Sequence, residues 1–575
     1  MPISAIPRPV LQRERNGKVS GMAEITASDA PQIEQPTSMG VVVAASSAGT
    51  TFEWYDFFIF GSLTQVISKT FFAGLNETAG YIAALALFGV GFAFRPIGAL
   101  VFGRIGDRLG RKGAFLVTVT LMGGATFFIG LLPTYAQIGI ASPILLILMR
   151  VVQGFALGGE YGGAVIYVAE HSHPNRRGWN TSWVQTSAAF GLFGALGVIW
   201  LSRRILGEAE FAAWGWRIPF LVSMGLLAIS VWMRLKLHES PAFSRIKAAG
   251  QASDAPYAEA FGQWRNLKLV LLAFFAMMSA QGSVWYASFF YIQVFMEKFL
   301  KVDPATINLI VMGLVVASAP LYVFFGWLSD KIGRKGVMLA GMSLALASFF
   351  PGFRALEQAA NPALAAASAK TPVVVMADPA DCALQFDPVG KAAFVSSCDI
   401  AKSFLANAGV SYANQAAPAG SPAAVRIGGV SVTSASAKGL PKEQVKAVRA
   451  GVEARLKAAL KTAGYPSKAD PARMNIPAMF GILMVFVIAA TALFGPLAAC
   501  LIELFPTRIR YTAMSLPYNI GTGWVGGFLP FSAFAIVAAR GDIYSGLWYP
   551  AFFTGISVVT MLFLLPETRG RSLDA

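Results

Sequence analysis

The chain has 575 residues, of which 55% are hydrophobic and 13% charged, with a mean hydropathy of +0.58. Soluble domains carry about 25% charged residues, so lipid is the expected solvent for this much apolar surface. The net charge of +16 does not mark a nucleic-acid binder, because the basic residues sit mostly in short loops between apolar runs, as in cytoplasmic loops facing anionic lipid.

Residues 1–38 are polar, lack the apolar core and cleavage site of a signal peptide, and read as a disordered cytoplasmic tail. A membrane span needs roughly 20 mainly apolar residues. Twelve runs qualify, at approximately 39–66, 79–102, 113–132, 143–168, 180–202, 215–235, 267–294, 305–328, 337–354, 475–502, 512–538 and 545–565. They divide the chain into a six-helix bundle over 39–236, a central cytoplasmic loop over 237–266, helices seven to nine over 267–354, an insertion over 355–474, helices ten to twelve over 475–566 and a tail over 567–575. Alternate loops carry the cations, among them Arg104, Arg108, Arg111 and Lys112, then Arg176 and Arg177, then Lys331, Arg334 and Lys335. The positive-inside rule makes those loops and both termini cytoplasmic.

The insertion is therefore extracytoplasmic. It reads as a small soluble α+β module: Val373–Met376 as a strand, one possible strand at Val425–Val432 in a stretch rich in Ala, Ser and Gly, and a helix over Lys442–Thr462. Cys382 and Cys398 can pair in an oxidising periplasm, or remain as two free thiols. Cys500 lies in an apolar run and reads as packing.

Two loops repeat each other. Gly103-Arg-Ile-Gly-Asp-Arg-Leu-Gly-Arg-Lys112 follows span two and Gly326-Trp-Leu-Ser-Asp-Lys-Ile-Gly-Arg-Lys335 follows span eight. Fainter echoes pair Glu170, Pro174 and Arg177 with Glu503, Pro506 and Arg508, and Leu237-His-Glu-Ser-Pro241 with Leu565-Pro-Glu-Thr-Arg569. Parallel repeats of this kind build transporters whose substrate site lies at midplane between the halves. The loop glycines permit tight turns, and the acids can pair with a neighbouring cation or a helix N-terminus. Gly103, Asp107, Arg108, Gly110, Arg111, Asp330, Gly333 and Arg334 are the expected gating residues.

These loops resemble the signature of the major facilitator superfamily. Thr51-Phe-Glu-Trp-Tyr-Asp-Phe-Phe-Ile-Phe-Gly61, Arg95-Pro-Ile-Gly98, Arg150-Val-Val-Gln-Gly154, Gly158-Gly-Glu-Tyr-Gly-Gly163 and Trp214-Gly-Trp-Arg-Ile-Pro-Phe220 are similar to its metabolite/proton symporter group, which includes carriers of 2-oxoglutarate, citrate, shikimate and proline/betaine. The large insertion departs from the compact pattern of that group. The resemblance implies an all-α membrane protein of two six-helix bundles, alternating access, coupling to the proton gradient, and a bacterial inner membrane, here as a monomer in lipid.

Ionisable groups within spans are functional candidates. Glu53 and Asp56 share a face of span one, about 20 and 24 Å from its cytoplasmic end. Arg150 of span four falls at about 19 Å in a ~30 Å core. Asp56 or Glu53 is the expected proton acceptor, with Arg150 its partner. Gln153, Gln281, Trp285, Tyr286, Asn519 and Thr522 are substrate-cavity candidates, each equally able to serve as an interhelical contact. Arg95 and Glu160 fall nearer the cytoplasmic ends and read as gating or structural groups. The sequence offers no metal-ligand set, cofactor motif, Walker loop or nucleophile constellation, so an enzyme or primary pump is not expected. The reading is proton symport of a small organic acid or zwitterion into the cell. The alternatives are an exporter of the same fold, or a non-transporting sensor that binds its ligand at the insertion.

Overall fold

The computed structural model describes residues 38–73, 77–236, 238–383 and 394–573. The N-terminal tail, apart from Ser38, lies outside these residues, as do Leu237 of the paired motif and the last two residues of the C-terminal tail. The principal helices are α1 (Met39–Ser62), α2 (Glu77–Arg108), α3 (Arg111–Leu131), α4 (Ala141–His171), α5 (Arg177–Glu210), α6 (Arg217–Leu235), α7 (Trp264–Phe299), α8 (Pro304–Ile332), α9 (Arg334–Ala360), α10 (Ile476–Leu504), α11 (Arg510–Arg540) and α12 (Trp548–Leu564). Among the described residues, ten helical stretches, in α3 to α12, are long and apolar enough to cross a membrane. Helices α1 and α2 pack among them.

The packing repeats. In the first half α1 lies on α5, α2 on α4 and α3 on α6; in the second α7 lies on α11, α8 on α10 and α9 on α12. Small residues set the close crossings. A Cβ on Gly98 would meet the Phe155 carbonyl at 1.8 Å, and one on Gly158 the Arg95 carbonyl at 2.3 Å, so α2 and α4 touch backbone to backbone. The Gly158–Gly163 run is thus a packing surface. The halves meet where α2 crosses α11 and α5 crosses α8.

Several elements differ from the sequence reading. Helix α7 contains three π-helical segments, Phe274–Met278, Ala287–Tyr291 and Phe295–Phe299, whose widened turns hydropathy does not register. The stretch 237–266 holds two short helices, Pro241–Ala248 and Pro256–Gly262, the first capped by the Ser240 hydroxyl. Helix α9 runs through residue 355 to Ala360 and stops where Asn361 caps a new helix that begins at Pro362.

The insertion carries a four-stranded sheet of order β2-β1-β3-β4, with β1 Val373–Ala377, β2 Tyr412–Ala416, β3 Ala424–Ile427 and β4 Val430–Thr433. Strands β1 and β2 run parallel, joined through the helix Ser397–Asn407; β3 is antiparallel to β1 and to β4. The single strand expected at Val425–Val432 is a hairpin, because Gly428 adopts a φ of +57° and reverses the chain. Strand β2, whose sequence Tyr-Ala-Asn-Gln-Ala has no apolar alternation, escaped the sequence reading. Cys382 and Cys398 are joined by a disulfide. The helix Lys442–Thr462 is present. The module docks on the ends of α7 and α11: the Tyr412 amide donates to the Gly541 carbonyl at 2.7 Å and the Lys301 Nζ to the Asn407 carbonyl at 2.6 Å.

Candidate functional site

A narrow cavity lies between the two halves. The first half contributes Thr50, Glu53, Trp54 and Phe57 from α1, Arg95 from α2, Tyr161 from α4 and Gln185 from α5. The second contributes Gln281, Trp285 and Tyr286 from α7, Phe494 from α10, and Tyr518 and Thr522 from α11. Gln185 donates to the Tyr161 hydroxyl at 2.8 Å, and the Trp285 indole N–H to the Tyr322 hydroxyl at 2.8 Å. The Tyr161 and Tyr518 rings stack across the seam, centroids 3.9 Å apart. Oε2 of Glu53, Nε of Arg95 and Oε1 of Gln281 are buried here without a hydrogen-bond partner among the described residues. Buried polar atoms are almost always paired, and a polar group entering this cavity would find these three open, as are other buried side-chain atoms elsewhere in the structure. At one end of the cavity the aromatic rings of the two halves meet, Trp54 on Trp285 at 5.4 Å and Phe57 on Phe290 at 5.7 Å.

Glu53 and Asp56 also border a second cavity inside the first half, with Glu160 and Met122. From Asp56 a hydrogen-bonded chain runs on. The Thr126 hydroxyl donates to Asp56 Oδ2 at 2.7 Å, Gln153 Nε2 donates to Thr126 Oγ1 at 2.6 Å, and Arg150 Nη1 donates to Gln153 Oε1 at 2.7 Å. Asp56 and Arg150 line one further cavity together with Arg95. The structure therefore joins Asp56 to Arg150 through Thr126 and Gln153. Gln153 belongs to this chain rather than to the central cavity.

Asn519 is placed differently again. Its amide donates to the Gly158 carbonyl at 2.9 Å, tying α11 to α4. Arg95, read from sequence as a group near the helix end, lines the cavity, because α2 continues to Arg108, thirteen residues beyond it. Glu160 pairs with Arg234 at 2.7 Å, a partner the sequence reading did not name, and accepts from Thr118 at 2.9 Å. Sequence reasoning missed Tyr161, Gln185 and Tyr518. Their only signal is a polar group on an otherwise apolar span.

The repeated loops close the end of the molecule away from the aromatic contacts, and they do so twice over. Asp107 binds Arg111 at 2.6 Å and accepts from the Tyr511 and Thr512 amides at the start of α11, at 3.2 and 2.8 Å. Asp330 binds Arg334 at 2.5 Å and accepts from the Gly178 and Trp179 amides at the start of α5, at 3.0 and 2.7 Å. Each acid thus caps a helix of the opposite half, where the helix dipole favours negative charge. Arg510 pairs with Glu170 at 2.7 Å and Arg177 with Glu503 at 3.4 Å, both across the seam.

Gly110 and Gly333 have φ of +122° and +106°, a region that favours glycine. They let the next helix start against a glutamate from the last loop of each half. Glu239 accepts from the Arg111 amide at 3.0 Å; Glu567 accepts from the Arg334 and Lys335 amides at 2.9 and 3.1 Å. Gly103 admits the Thr512 backbone, since a Cβ there would lie 2.8 Å from its Cα. Arg108 is exposed and makes none of the hydrogen bonds or ion pairs described here. Arg508, set against Arg177 on sequence, instead binds Glu259 at 2.7 Å; Arg510 is the true counterpart, two residues on.

The sequence matches the family of sugar (and other) transporters over residues 41–258 and 458–575, and that of MFS/sugar transport proteins over 164–378. The chain belongs to the major facilitator superfamily. Among its relatives, the proline/betaine transporter of Salmonella typhimurium is 35% identical over 321 residues, 54% of this chain and 63% of that protein. The shikimate transporter of Escherichia coli is 37% identical over 320 residues, 54% of this chain and 71% of that protein. An inner membrane metabolite transport protein of Escherichia coli is 33% identical, covering 60% and 78% respectively. The chain's match thus spans less than two thirds of the proline/betaine transporter. The fold is similar to that of the proton:xylose symporter XylE bound to 6-bromo-6-deoxy-D-glucose, with a TM-score of 0.59, 15% identity, and 93% of this chain and 98% of that one covered. Residues 379–457, most of the insertion, fall outside both family matches.

Proposed function

We propose that the chain is a secondary transporter that carries a small carboxylate, an organic acid or a zwitterion, into the cell together with a proton. It would do so as a monomer with twelve membrane spans and both termini in the cytoplasm of a bacterial cell. The observation that carries this reading is the central cavity, which offers a carboxylate and a guanidinium, Glu53 and Arg95, beside amide and aromatic groups of the opposite half. Arg95 would hold the substrate carboxylate by charge-assisted hydrogen bonds. Gln281 and the Tyr161–Tyr518 pair would receive its polar and apolar remainder. Proline, betaine and shikimate, named for the relatives, are all carboxylates.

Coupling follows from the shared cavities. A proton on Glu53 removes the charge that would repel the substrate carboxylate. The second cavity gives that proton a neighbouring acceptor in Asp56, whose chain through Thr126 and Gln153 ends on Arg150. With the repeated loops closed below and the aromatic rings meeting above, the cavity is in an occluded state. Opening the loops releases substrate and proton to the cytoplasm; parting Trp54 from Trp285 and Phe57 from Phe290 admits them from outside. The Cys382–Cys398 disulfide supports an extracytoplasmic insertion, because such bonds persist in oxidising compartments. Uptake of radiolabelled carboxylates into proteoliposomes with an inward proton gradient tests the reading. The Asp56→Asn variant should lose gradient-driven accumulation while keeping exchange, and full uphill uptake in that variant would refute the coupling assigned to Asp56.

A further inference from the structure

On the outer surface of the seam, α5 and α8 leave an open groove lined by Trp179, Trp183, Phe190, Pro320, Phe324 and Trp327. Phe190 is 61% exposed and Phe324 47%. All six residues lie on helices that each contain an apolar window long enough to cross a membrane, and an occupant of the groove's apolar part must itself be apolar. Its end toward the repeated loops is different. The three tryptophans cluster at that end, amphipathic side chains that sit at the headgroup level of a bilayer.

Two exposed cations flank the same end. Arg176 lies three residues ahead of Trp179. Lys331 lies one helical turn beyond Trp327, next to Asp330. Asp330 draws the two helix ends together through the Gly178 and Trp179 amides. Arg569 adds a third charge by donating to the Lys331 carbonyl at 2.5 Å. The groove is therefore apolar along its length and positive at its mouth. The chemistry complementary to both is a diacyl lipid with a negative headgroup, the kind enriched on the cytoplasmic leaflet.

We propose that the groove is a binding site for an anionic phospholipid, with one acyl chain along Trp183, Phe190, Pro320 and Phe324 and the headgroup between Arg176 and Lys331. The lipid touches both halves beside the Asp330 contact and would tie them together while that end is closed.

The test uses the full chain purified in detergent and exposed to phosphatidylglycerol or phosphatidylcholine of identical acyl composition, with retention read by native mass spectrometry. Phosphatidylglycerol should be retained at least five-fold more. The preference should vanish in Arg176→Gln/Lys331→Gln and persist in Arg204→Gln, an exposed cation at the other end of α5. Equal retention of the two lipids, or an undiminished preference in the double variant, overturns the proposal. A second readout addresses the groove. Phosphatidylglycerol with brominated acyl chains should quench part of the tryptophan fluorescence, and the quenched fraction should fall in Trp183→Phe/Trp327→Phe. An unchanged fraction places the lipid elsewhere and likewise overturns it.

Discussion

Glu53 and Asp56 sit three residues apart on α1 and share one cavity, yet their further surroundings differ. Glu53 reaches the seam between the halves, while Asp56 points into the first half toward Thr126. Under the proposed function, Glu53 would contact substrate and Asp56 would store the proton. Glu53→Gln should therefore weaken the dependence of substrate affinity on external pH, measured as KM for uptake between pH 5.5 and 8. Arg95→Gln should raise KM about 10- to 100-fold, since a hydrogen bond to a charged group contributes about 1.5–3 kcal/mol. A KM unchanged by Arg95→Gln would remove Arg95 from the substrate site. Arg95 shows why depth is hard to read from one sequence. The apolar run of span two ends near residue 102, but the helix continues to Arg108, so counting from the end of the run places Arg95 too close to the cytoplasm. Glu53, Asp56 and Arg150 stood out in the sequence because ionised groups inside a span are rare.

At the scale of elements, the repeated loops were legible because their chemistry is local. Gly-x-x-x-Asp followed by Gly-Arg-Lys states a turn, a cap and a cation in one string. What the string cannot state is the partner: the amides of α11 and α5 come from the opposite half. The glutamates at the other corner were visible only as paired echoes. Glu567 caps α9. Burial opposes its charge, but hydrogen bonds from the Arg569, Arg334, Lys335 and Thr568 amides outweigh that and hold its carboxyl below the usual carboxylate range. A depressed acid stabilises the fold above its unfolded pKa and loses that contribution as pH falls through the folded value. Glu567→Gln should therefore cost about 1 kcal/mol at neutral pH, and the difference from the parent should shrink as pH drops below the ordinary carboxylate range. A thermal-stability series from pH 7 to pH 4 checks this; a difference that grows toward low pH would contradict the cap. The three π segments of α7 had no counterpart in sequence, because a widened turn leaves hydrophobicity unchanged.

At the scale of the whole molecule, the two halves differ by one addition. The insertion rests on the ends of α7 and α11 through Lys301 and Gly541, and those helices carry Gln281, Trp285, Tyr286, Tyr518 and Thr522 of the cavity. Its existence was plain from the break in hydropathy. Its hairpin and its β2 strand were not, because short strands rich in Ala, Ser and Gly give weak alternation. The disulfide closes a loop of sequence separation 16, for which chain entropy gives about 3 kcal/mol. Cys382→Ser/Cys398→Ser should speed proteolysis between β1 and the helix Ser397–Asn407, read by mass spectrometry of the fragments. Cleavage as slow as in the parent would show that the docked module does not need the bond.

The most direct test of proton-coupled uptake through this cavity is the external pH of a lightly buffered proteoliposome suspension when a panel of small carboxylates is added. At least one member of the panel should produce transient external alkalinisation, and the signal should be absent in Asp56→Asn. No pH change with any carboxylate, or an unchanged signal in Asp56→Asn, would contradict it.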